Sequence, residues 1–219
     1  MEWRALAERA EERYRDGLER LPDEPDARQR QLTRVANAAW AAGLSLLMES
    51  RGDEAAAWLR EAATRYRESF ADAPPGSWGR LIAILKSRFL AKDWDAAVED
   101  ARWALAQGPA AAESPIGRYA AVLALLVLAE DGQAARLAAM LRGEPEERFP
   151  GAVADALAAL AGRDAALYAD SVARTLQLFE SQGAFLEGVP VADTVMALEA
   201  LARPRGLAVH PESKLVPME

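Results

Sequence analysis

Gly52-Asp53-Glu54-Ala55-Ala56 is a small polar turn that runs straight into a helix opening on paired alanines, and the chain makes this move three more times. The other instances are Lys92-Asp93-Trp94-Asp95-Ala96-Ala97, Asp131-Gly132-Gln133-Ala134-Ala135 and Gly162-Arg163-Asp164-Ala165-Ala166. From Asp53 to Asp93 is 40 residues, and the later copies follow at 38 and about 31 to 33. That is the period of stacked helical hairpins, in which each unit buries its apolar face only against its neighbours. The predicted fold is all-α: a single right-handed array of about nine or ten helices in antiparallel hairpins, with a short extended C-terminal tail.

Working outward from these turns, apolar residues recur at helical spacing along most of the chain. A first helix is expected from Glu2 to about Leu21, with Trp3, Leu6, Ala10, Tyr14, Leu18 and Leu21 on one stripe, ending at Pro22-Asp23-Glu24-Pro25-Asp26. A second, from about Ala27 to Ser50, carries two apolar faces and so belongs between neighbours. Asp53, Ser77 and Asp93 are expected to cap the third, fourth and fifth helices. Ser114-Pro115 starts the sixth, with proline at the first helical position. Further helices are expected over about 133–142, 151–161 and 165–181. Pro190 is expected to open the tenth, which closes near Ala202. No low-complexity linker divides residues 1–219, so one domain is predicted, with residues 1–26 as an N-terminal capping helix and 204–219 as a tail whose Leu215-Val216-Pro217 packs back.

Composition narrows the function classes. The chain has 219 residues, is 51% hydrophobic with much alanine, and contains no cysteine, which excludes a disulfide framework and a thiolate metal site. The charged, helical N-terminus carries no signal-peptide pattern. The longest apolar run, Tyr119 to Ala129, is 11 residues, too short to span a bilayer. A cytoplasmic location fits. Net charge is −8, with acids interspersed among 23 arginines and three lysines, so neither nucleic acid nor membrane is an expected partner. No G-x-S-x-G elbow, phosphate loop, H-E-x-x-H pair or calcium loop is present. The one histidine, His210, sits in the tail beside Pro211 and reads as a surface residue rather than a catalytic base, since general-base work needs an oriented partner. No metal, no cofactor and no catalytic residue is expected. Glu144-Pro145-Glu146-Glu147 reads as a solvated acidic turn.

Binding candidates are few. If the second, fourth, sixth and eighth helices line an inner wall, Trp78, Arg80, Arg88 and Arg118 fall on or near it, where arginines grip carboxylates or a peptide terminus through bidentate bonds. Equally, each arginine pairs with an acidic neighbour such as Asp100 or Glu113. Trp103, near charged neighbours, is a candidate interface anchor. The remaining tryptophans, at 3, 40, 58 and 94, read as gap fillers between alanine-lined helices.

The turn-Asp-x-Ala-Ala start resembles the second helix of tetratricopeptide-like repeats, although the full repeat consensus is absent. The ending resembles a second family. Val189-Pro190-Val191-Ala192-Asp193 opens a stretch that closes on Leu201-Ala202, continues through Arg203-Pro204-Arg205-Gly206-Leu207-Ala208-Val209, and ends in Glu212-Ser213-Lys214-Leu215-Val216-Pro217. This is similar to the close of immunity 49 family proteins of bacterial polymorphic toxin systems: a proline-started helix ending in Leu-Ala, then Arg-Gly-Leu-x-Val, then Glu-Ser-x-x-Leu-Pro. Here one residue is inserted before the last proline, and Pro204 interrupts the stretch. The resemblance covers about 30 residues and carries no catalytic residue. It implies a protein that neutralises a toxin by binding it, with a basic toxin domain as the partner that an acidic helical array suits. Two other readings stand beside it: a tetratricopeptide-like scaffold or regulator, and a small-ligand binder or enzyme with a pocket lined by Arg80, Arg88 and Arg118.

Overall fold

The structure is a computed structural model that describes residues 2–218. Among these residues the chain is all-helical, without a strand. The α-helices are α1 (Trp3–Glu19), α2 (Pro25–Met48), α3 (Gly52–Phe70), α4 (Trp78–Leu90), α5 (Trp94–Ala106), α6 (Pro115–Val127), α7 (Asp131–Arg142), α8 (Gly151–Gly162), α9 (Ala165–Ser181) and α10 (Asp193–Ala202). Single 3₁₀ turns lie at Pro109–Ala111, Leu186–Gly188 and Arg203–Arg205. No helix among the described residues is long and apolar enough to cross a membrane.

One turn, used four times, joins these helices in pairs. Ser50, Lys92, Ala129 and Arg163 each adopt left-handed backbone, with φ of 61°, 55°, 56° and 55°. After each, the next amide reaches back five residues: Arg51 to Leu46 O, Asp93 to Arg88 O, Glu130 to Leu125 O and Asp164 to Ala159 O, all at 2.9–3.0 Å. This is the Schellman closure of a helix C-terminus, here without glycine. It links α2 to α3, α4 to α5, α6 to α7 and α8 to α9. The helix that follows buries residues at i, i+4 and i+7: Ala55, Leu59 and Ala62, then Ala97, Ala101 and Ala104, then Ala134, Ala138 and Leu141. In the fourth case Ala165 and Ala166 are exposed, and Tyr168, Val172 and Thr175 take those places.

The aspartates of these turns serve more than capping. Asp164 caps α9 by accepting from Leu167 N at 3.0 Å. Asp93 makes no side-chain cap; its carboxylate takes Arg88 at 3.1 Å and Arg60 at 3.5 Å. Asp53 lies inside the first turn of α3 rather than before it, and Ser77 turns its hydroxyl to Pro74 O at 2.7 Å, leaving α4 uncapped. Glu24, a cap the sequence pattern did not flag, accepts from Asp26 N and Ala27 N at 3.0 and 2.6 Å.

Consecutive helices pack side by side, and a second set of contacts joins α4 to α6, α6 to α8, α8 to α10 and α10 back to α4. The even-numbered helices are therefore the buried ones: α2, α6, α8 and α10 bury residues around most of their circumference. Gly17 of α1 and Gly43 of α2 permit close approaches, since a Cβ at either would stand 2.7 Å from Val35 Cγ2 or Leu59 Cγ.

The connection from α9 to α10, residues 182–192, spans at most about 36–40 Å if extended. It returns across the molecule to the first helices, where Glu187 pairs with Arg13 of α1 and the Leu186–Gly188 turn touches α2. Helix α10 begins at Asp193, three residues beyond Pro190, because the amide of Ala192 is committed to Leu215 O at 2.8 Å. Lys86 of α4, buried, donates to Asp193 Oδ2 at 2.9 Å and Thr194 Oγ1 at 2.7 Å, fastening α10 to α4.

The tail is held equally firmly. Gly206, with φ of 68°, closes α10 through Leu207 N to Ala202 O at 3.1 Å. Arg205 donates to Leu201 O, Leu126 O and Asp131 Oδ1 at 3.1, 2.7 and 2.7 Å. The buried carboxylate of Glu199 accepts from Tyr168 Oη at 2.8 Å, Val209 N at 3.0 Å and His210 N at 2.9 Å. Leu207, Leu215 and Val216 are buried in the same core as α10.

Candidate binding surface

Seven arginines are half-buried: Arg51, Arg65, Arg80, Arg88, Arg118, Arg174 and Arg205. A partly desolvated guanidinium is costly unless a carboxylate or several acceptors surround it. Six have a carboxylate: Arg51 takes Glu54, Arg65 takes Glu61 and Glu68, Arg88 takes Asp100 and Asp93, Arg118 takes Glu144, Arg174 takes Asp155 and Asp170, and Arg205 takes Asp131. Arg80 is the exception. It donates to the carbonyl of Ser69, near the end of α3, and to Oε1 of buried Gln29. Burial draws its pKa below the ordinary arginine value, with no carboxylate pulling the other way.

Arg80 lines an open hollow of ≈ 330 Å³ where α2, α3 and α4 meet the returning 182–192 segment. Thr33 and Asn37 come from α2, Tyr66 from α3, Ser77, Gly79 and Ala83 from the start of α4, and Leu186 from the turn. Asn37 Oδ1 accepts from Tyr66 Oη at 2.6 Å, which orients the amide and leaves its NH₂ as a donor. Nothing stands within 4 Å of where a Gly79 Cβ would be, so the first turn of α4 is open on that side. Leu186, at 58% exposure, forms an apolar rim. A second trough of ≈ 520 Å³ runs between α1 and residues 183–190, past Leu6, Arg9, Phe185 and Pro190.

The structure does not gather the other sequence candidates around this hollow. Arg88, on the opposite end of α4, donates through Nε to Asp100 at 2.8 Å and belongs to a buried node that Arg67 also joins. Arg118 reaches Glu144 at 2.6 Å, not Glu113. Helix α10 is seated on α4, α8 and α9. Trp78 is half-buried and packs beside Gly117, whose added Cβ would stand 3.1 Å from its Cδ1. Trp103 is held edge-on to Phe70 at 5.3 Å, with the Arg67 guanidinium 4.5 Å above its ring.

Several polar groups escape sequence reading because their partners are remote in the chain. The Lys86–Asp193 pair bridges 107 residues, and Tyr168–Glu199 bridges 31. The acidic turn at 144–147 is also more than a solvated loop: Glu144 takes Arg118 and Arg148, and Glu146 accepts from Gly151 N at 2.9 Å. Among the described residues, no group of three or more His, Cys, Asp or Glu side chains is placed to hold a metal ion. Compared with known protein families, with curated proteins and with solved structures, the chain matches none.

Proposed function

We propose that this chain is a non-catalytic protein-binding module, a right-handed array of tetratricopeptide-like helical hairpins that neutralises a toxin in the manner of an immunity protein. The observation that carries the reading is the left-handed turn repeated at Ser50, Lys92, Ala129 and Arg163, since stacked equivalent hairpins form a rigid scaffold whose outer surface is free to bind. Neutralisation by binding needs a preformed, electrostatically complementary surface and no turnover. A net charge of −8 supports a basic partner. So do the exposed carboxylates of Glu12, Glu19, Asp53, Asp95, Glu99 and Glu147, which have no ion-pair partner among the described residues. The resemblance of residues 189–217 to the close of immunity 49 proteins is what turns protein binding into toxin immunity.

The test is capture with the tagged full chain at low and high salt, together with co-expression of a toxin encoded beside it. The immunity reading expects one abundant partner with a toxin domain, released by salt, and rescue of growth. A partner without toxicity, held equally well, replaces it with the scaffold reading. No specific partner at either salt concentration defeats both.

A further inference from the structure

We infer that the hollow at the first turn of α4 receives a carboxylate, gripped by Arg80 and accompanied by an apolar side chain that rests on Leu186. That the carboxylate belongs to a partner protein rests on the protein-binding reading above; the chemistry of the hollow does not. Every other half-buried arginine of the described chain has met its charge with a carboxylate, while Arg80 has met only two neutral oxygens. Those two occupy Nη1 and Nη2 once each, and a guanidinium has five N–H groups. The fork thus keeps donors for a planar anion, the geometry in which arginine surpasses lysine.

The surroundings add donors, and the two carboxylates whose charge reaches Tyr66 (Glu187 and Asp193) are already paired with Arg13 and Lys86. Asn37 is oriented by Tyr66 so that its NH₂ is left over. No side chain caps α4; in its first turn Trp78 N and Arg80 N donate to Gly76 O and Ser77 O, which leaves Gly79 N and the positive end of the helix dipole. Of the lining residues, none is acidic. Leu186 supplies an exposed, branched apolar surface at the rim, which gains by being covered. A carboxylate beside a branched apolar side chain satisfies each of these groups at once.

The test is titration of the isotope-labelled full chain with N-acetylleucine, N-acetylleucinamide and glutamate blocked at both ends, followed by NMR at Gly79 N–H, Asn37 NH₂ and Arg80 Nε. At least one of the two acids is expected to give saturable shifts at these groups, with Kd of about 1–10 mM for so small a probe. The amide is expected to bind at least about tenfold more weakly. Which acid binds assigns the source, a main-chain terminus or an acidic side chain. Asn37→Asp places a carboxylate in the hollow and is expected to weaken the acids about tenfold or more without unfolding the chain. The inference is overturned if neither acid saturates by about 50 mM, if acid and amide shift the same groups equally, or if the acids bind Asn37→Asp unchanged. Arg80 is then only a cap on the carbonyl end of α3. Failure here with a salt-released partner in the capture experiment leaves the protein-binding reading intact; binding of the acids with no partner captured does the reverse.

Discussion

All four tyrosines of the chain are held protonated by the fold, and this has a measurable consequence in alkali. Tyr66, Tyr119 and Tyr168 are buried, and burial is the first cause raising each hydroxyl above the ordinary tyrosine value. The charge of Glu199, and its hydrogen bond, push Tyr168 higher still. Lys86 draws Tyr119 back, though not enough to reverse the shift. Tyr14 is pushed up to about 12, first by burial and then by its hydrogen bond to Glu61, with Arg65 opposing. In the unfolded chain each titrates near 10. A raised folded pKa means stability that is complete below pH 10 and lost as pH climbs toward the folded value. Each of the three deeply buried groups then contributes a slope of up to about 1.4 kcal/mol per pH unit, together at most about 4 kcal/mol per unit. Against a typical stability of about 5–15 kcal/mol, the chain unfolds roughly between pH 11 and 14. Tyrosinate absorbance and far-UV circular dichroism, followed together, should change in one cooperative step. A tyrosinate signal that grows with a midpoint near 10 while helicity stays intact would refute the reasoning.

Further outcomes follow from named contacts and backbone angles. Asp100 is 1% exposed and accepts from both Arg67 and Arg88; Asp100→Asn leaves Arg88 with Asp93 as its one carboxylate and should cost about 1–3 kcal/mol, a fall in Tm on the order of 5 °C. In the same thermal melts, Asp170→Asn at the exposed Arg174 pair should cost less than about 1 kcal/mol. Ala129→Gly relieves a left-handed alanine on an exposed turn and should stabilise by about 0.5–1 kcal/mol in urea denaturation. Gly206→Ala should destabilise by about as much. Glu199→Gln weakens the acceptor of three hydrogen bonds and should cost about 2–3 kcal/mol, with hydrogen exchange accelerated at Val209 and His210.

Helices and their order were legible because apolar spacing is a local signal. The 165–181 helix matches the expected span at both ends, and the other boundaries fall within a few residues. The caps were less legible: a short acid before a helix accepts from free amides only if no cation offers more, and Arg88 and Arg60 take Asp93 away. Of the five candidate residues, Arg80 is the one that lines the hollow. Arg80 reads like Arg88 and Arg118 in sequence, since all three lie on helices with acids near in the chain. What separates them is which acids the fold delivers, and Glu144 and Asp100 reach the other two through contacts 26 and 12 residues apart. The hollow itself depends on Leu186, whose return to α2 follows from no periodicity.

The closing helix changes where binding can occur. Stacked hairpins leave an inner face and two ends to cover, and in an open array the inner face is the natural ligand groove. Here residues 182–192 carry the chain back past α1 and α2, and α10 then lies against α4, α8 and α9. Its Val195, Leu198 and Leu201 are buried with the core, so α10 is as much a part of the interior as α6 or α8. An alanine- and leucine-rich helix in such a position has neighbouring registers of similar burial, one turn up or down. The Lys86–Asp193 pair distinguishes them, because sliding α10 by a turn strands a buried ammonium. That register also sets the 182–192 segment over the start of α4, placing Leu186 beside Arg80. The same placement that fills the space between α4, α8 and α9 thus builds the rim of the hollow that Arg80 lines.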